Sequence, residues 1–143
     1  MPRMNSSRIL LGGFIAGLIM NGGEAALHAA ILGDETGLLY EKFGIAIPGA
    51  SGNLLMLIST TFLLGIVAVW LYAAIRPRFG AGPRAALIAG STVWLLAHVW
   101  SGVYLGAGYA GIIPPNLAWI PVAWGFFEAP LATLAGAAFY KEH

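Results

Sequence analysis

The chain has 143 residues, 59% of them hydrophobic and only 9% charged, where soluble domains carry roughly a quarter charged residues. A soluble globule of this size could not cover so much apolar surface, so the composition points to a membrane protein. A formal net charge of +1 offers no basic face for nucleic acid, and the absence of cysteine removes disulfides, thiolate zinc sites, iron–sulfur ligation and thiol redox chemistry.

Arg3 and Arg8 lead into ILLGGFIAGLIM, the outline of a signal peptide. No A-x-A site follows, so the run is expected to remain as a first span over residues 8–32. A span needs about 20 predominantly apolar residues, and segments 52–75, 85–106 and 117–140 also qualify. Helices are expected, because the even alternation of short strands that a closed barrel needs is not visible.

The connections carry the breakers. Only GDETGLLYEKFGIAIPGASG, between the first two spans, is long. Its Leu38, Leu39, Tyr40 and Phe43 form either a short interfacial helix, with Glu41 and Lys42 in water, or a loop resting on the bundle. IPGASGN precedes the second span, RPRFGAGPR separates the second and third, and GIIPPN precedes the fourth, with Asn116 as the expected N-cap. No repeat or linker divides the chain. Residues 1–143 are read as a single domain, an all-α four-helix transmembrane bundle with short loops and one longer outer loop.

Lysine and arginine set the orientation. With the N-terminus inside, Arg3, Arg8, Arg76, Arg78, Arg84 and Lys141 are inside and Lys42 alone is outside. Both termini are therefore expected in the cytoplasm. Trp119 and Tyr109 suit the outer interface, and Trp70, Tyr72 and Tyr140 the inner one. Trp94, Trp100 and Trp124 lie deeper, where packing is the expected role.

The most informative feature is a buried polar layer. With the outer boundary near Leu32 and Leu105, counting about 1.5 Å per residue puts Glu24 roughly 12 Å deep, His98 roughly 10 Å and His28 roughly 6 Å. Glu128, on a span entering near Ala118, lies roughly 15 Å down, and Ser59 to Thr61 lie at roughly 10–13 Å. Gly17, Asn21, Glu24 and His28 recur at four, three and four residues, the rhythm of a helix face turned toward neighbours. Ser91, Trp94, His98 and Ser101 make a similar stripe on the third span. Gly13 with Gly17, Gly102 with Gly106, and Ala132 with Gly136 allow close helix approach. An ionised side chain at the bilayer centre costs several kilocalories per mole, about 2.5–3.5 even on the lenient insertion scale. These groups must pair, bind something or hold protons.

Two imidazoles and two carboxylates are a ligand set suited to zinc, ferrous iron or manganese, and facing helices of a bundle are a known way to assemble one. The leading expectation is one divalent metal ion held by Glu24, His28, His98 and Glu128, with Asn21, Ser59, Thr60 and Ser101 around it. Four other readings stand beside it. Glu24 or Glu128 could exchange protons for a solute in a dimeric transporter, the histidines relaying protons; the architecture bears comparison with small multidrug transporters, whose motifs are not matched here. His28 and His98 could be axial ligands of a haem b. Glu24–His28 and Glu128–His98 could be pairs that only fix packing. The chain could also be an accessory subunit docked through the GGFIAG face. No nucleophile–base motif marks an enzyme.

The first span, GGFIAGLIMNGGEAALHAAILGD, resembles that of small uncharacterised four-span bacterial membrane proteins. The resemblance covers about 25 residues. It implies a bacterial cytoplasmic (inner) membrane and transfers no functional residue.

Overall fold

The computed structural model describes residues 4–46 and 52–141. Four helices carry the fold: α1 (Ser6–Lys42), α2 (Gly52–Phe79), α3 (Pro83–Gly108) and α4 (Pro115–Ala138). Each is long and apolar enough to cross a membrane, and no strand occurs among the described residues. The protein is an all-α integral membrane protein.

The helices start where local chemistry allows. Asn5 caps α1, its side-chain oxygen accepting the Arg8 N–H at 3.2 Å and satisfying one of the donors a helix start leaves free. Pro83 and Pro115 open α3 and α4, positions where a missing N–H costs nothing. Gly80 and Gly82, at φ +89° and +142°, make the turn between α2 and α3, which a side chain would strain.

Two expectations are corrected here. The segment GDETGLLYEK is neither a loop nor a separate interfacial helix, because α1 continues through it to Lys42. Gly33 keeps helical angles (φ −58°, ψ −47°) and donates its N–H to the His28 carbonyl. The Asn116 side-chain amide donates to Glu35 Oε1 at 2.8 Å, which ties the extension to the start of α4. Asn116 is therefore not the α4 cap; Pro114 occupies that position. The end of the connection, residues 47–51, lies outside the described residues.

Around the bundle, α1 packs on α2 and α4, and α3 packs on α2 and α4, so α1 and α3 face each other on a diagonal. Lipid tails are as apolar as leucine, so close backbone approach rather than water exclusion holds such helices together. The small residues provide it. A Cβ on Gly12 would meet the Gly136 backbone, one on Gly13 or Gly17 would meet Ile66 or Phe62, and one on Gly90 would meet Pro130 of α4. The GGFIAG face, expected to suit an outside partner, is thus packed against α2 and α4 of its own chain.

At one end of the bundle the Asn5 backbone N–H donates to the Tyr140 hydroxyl at 3.4 Å. The Tyr72 and Tyr140 rings meet edge to face at 5.9 Å, and the Arg76 guanidinium lies 5.6 Å from the Tyr140 ring. The start of α1 and the ends of α2 and α4 therefore share this end. Tyr72 and Tyr140 are buried and plug the bundle instead of forming an interfacial belt; Trp70 remains exposed. Glu128 is twelve residues before Tyr140, about 18 Å of helix, which sets the polar layer well away from the plug.

Candidate functional site

Glu24 of α1, His98 of α3 and Glu128 of α4 come together in the bundle. One ligand atom from each lies within 4.8 Å of the other two. His98 Nε2 is 3.8 Å from Glu24 Oε1, across the diagonal. Glu24 Oε2 is 3.8 Å from His28 Nδ1. Glu24 thus stands between the two histidines: it pairs with His28, as weighed from the sequence, and reaches His98 as well. Glu128 accepts a hydrogen bond at 3.0 Å from Trp124 Nε1, one turn earlier on α4.

Backbone features make room for these side chains. A Cβ on Gly23 would run into Glu128 Oε1, and one on Gly125 would run into the His98 ring. Both glycines therefore hold space for a polar group, not for a helix contact. Each histidine also lies in a π-helical turn: His28 opens His28–Leu32, and His98 lies in Leu95–Val99. Such turns insert one residue into a helix and rotate the helix face beyond them, and they concentrate at functional sites.

Hydrogen bonding separates the two imidazoles. His28 Nδ1 lies 3.0 Å from the Glu24 carbonyl oxygen. A carbonyl only accepts, so Nδ1 carries the proton in the neutral ring and Nε2 keeps its lone pair. His98 Nδ1 is buried without a hydrogen-bond partner among the described residues.

The other expected residues lie elsewhere or play backbone roles. Asn21 donates to the Gly17 carbonyl at 2.9 Å and to the Ile58 carbonyl at 3.4 Å, bridging α1 and α2. Thr60 is exposed, and its hydroxyl donates to the Met56 carbonyl of its own helix at 2.8 Å. Ser59 is exposed as well. Ser101 donates to the His98 carbonyl at 3.0 Å, so it touches the backbone of a site residue only. His28 is not among the three converging groups and reaches them through Glu24.

The charge balance is one-sided. Lys141, thirteen residues past Glu128, and Arg84, fourteen before His98, are each about 20 Å away along their helices, and the other lysines and arginines among the described residues also belong to helix ends. Two carboxylates within 4.8 Å of each other keep both charges in such a setting only when a cation lies with them.

No family model, curated protein or solved structure matches this chain.

Proposed function

We propose that this protein binds one divalent metal ion, zinc, ferrous iron or manganese, inside its bundle through Glu24, His98 and Glu128. The observation that carries the reading is the convergence of these three donors within 4.8 Å from three different helices, with no lysine or arginine of the described residues beside them. One imidazole and two carboxylates form a mixed nitrogen–oxygen set suited to those ions. Three protein ligands leave at least one coordination position open, the mark of a site that exchanges or works on something, unlike a closed structural site.

Supporting groups fit the same reading. Trp124 orients Glu128, as partners of ligating carboxylates do, while Gly23 and Gly125 keep the space clear. The geometry favours an ion over haem, because Glu24 stands where a macrocycle on His98 Nε2 would have to lie. The six-to-one split of basic residues between the two sides supports a chain with both termini cytoplasmic, in a bacterial cytoplasmic membrane.

The test is metal analysis of full-length protein purified without chelator. The reading predicts one equivalent of metal in the wild type and its loss in Glu24→Gln/His98→Ala. Substoichiometric metal in the wild type, or equal metal in the variant, overturns it.

A further inference from the structure

The four ionisable groups of the layer form a line of falling exposure. The side chain of His28 is 53% exposed, that of Glu24 32% and that of His98 12%, and Glu128 is 8% exposed. The line is connected: one Glu24 oxygen faces His28 and the other faces His98, each at 3.8 Å. Its open end is chemically prepared. The Glu24 carbonyl accepts a hydrogen bond from His28 Nδ1–H, which leaves a lone pair on Nε2 of a half-exposed imidazole. A histidine whose other nitrogen is bonded to a carbonyl is the usual form of a metal ligand. Beyond it on the same helix, Asp34 is exposed, a negative charge that attracts cations to this end of the line.

Resting on the metal reading above, we infer that His28 is the entry ligand of the site. It captures a hydrated divalent cation at the mouth and hands it to Glu24, which swings it to His98 and Glu128. His28 releases the ion in the process and does not hold it in the final complex. Its place outside the converging group of three fits a transient contact. A group that binds only along the path lowers the barrier in both directions and leaves the equilibrium unchanged.

The experiment is stopped-flow mixing of the full-length, metal-free protein in detergent with Co2+ alone, read by the visible absorption of the bound ion. His28→Ala is expected to slow association and dissociation together, by about tenfold, within the range over which association rates vary among related complexes. The dissociation constant and the one-ion stoichiometry stay as in the wild type. His28→Asp, which puts a different metal ligand at the same position, recovers the rate; a variant that merely perturbs packing would not be rescued this way. Unchanged rates in His28→Ala overturn the inference and leave the metal site standing. Faster dissociation with weaker binding also overturns it, because His28 would then be a permanent ligand. A wild type that takes up no Co2+ overturns the metal reading, and this inference with it.

Discussion

Glu128 and Trp124 lie one turn apart on α4, and the indole Nε1–H donates to the carboxylate at 3.0 Å. This bond fixes one oxygen of a buried acid in a setting where the described residues place no lysine or arginine. Hydrogen bonds to charged groups contribute about 1.5–3 kcal/mol, and 1.4 kcal/mol is about a factor of ten in affinity. Trp124→Phe is therefore expected to weaken metal binding at least about tenfold while the bundle stays folded. Competition titration against a chelator of known affinity measures it; equal affinity would show that Trp124 only packs.

Gly22 and Gly23 are adjacent but differ in surroundings. A Cβ at Gly22 meets nothing within 4 Å, whereas one at Gly23 collides with Glu128 Oε1. Gly22→Ala is expected to bind metal normally and to gain up to about 1 kcal/mol of helix stability. Gly23→Ala is expected to lose the metal. Metal content and thermal unfolding of the two variants, measured side by side, check this pair.

Gly12 faces the backbone of Gly136, not the site. Gly12→Ala is expected to push α1 from α4 and destabilise the bundle by about 1–3 kcal/mol, as overpacking does. The measurement is thermal unfolding in detergent. A transition temperature equal to that of the wild type would contradict the packing described here.

Orientation is open to a direct test because the chain has no cysteine of its own. Leu38, exposed on the α1 extension, and Ala81, exposed in the turn between α2 and α3, belong to opposite ends of the bundle. In whole cells a membrane-impermeant maleimide is expected to label Leu38→Cys and not Ala81→Cys. The reverse pattern would invert the assigned topology.

The sequence made the four helices legible, because long apolar runs between Gly/Pro breakers have few other solutions in a membrane. Counting residues also put Glu24, His98 and Glu128 at a common level. The rotation of each side chain was not legible. π turns at His28 and His98 shift the helix face without any local composition signal, and the approach of Glu24 to within 3.8 Å of His98 could not be read from spacing. Ser59 and Thr60 shared the depth but not the direction; Thr60 satisfies its hydroxyl on its own helix, as serine and threonine commonly do. The run through Gly33 to Lys42 read as a connection because Asp34, Glu35, Glu41 and Lys42 end the apolar stretch that a span needs; its tie from Glu35 to Asn116 spans 81 residues and has no local trace. The Trp124–Glu128 spacing of four was visible, and its meaning became clear only once Glu128 was placed inside the bundle.

The most direct test of the central claim is X-ray absorption at the edge of the bound metal in loaded, full-length protein. The account predicts a first shell of nitrogen and oxygen scatterers at about 2.0–2.2 Å, with the outer-shell signature of a single imidazole, lost in His98→Ala. Two or more imidazoles, a sulfur scatterer, or the same spectrum in His98→Ala would contradict it.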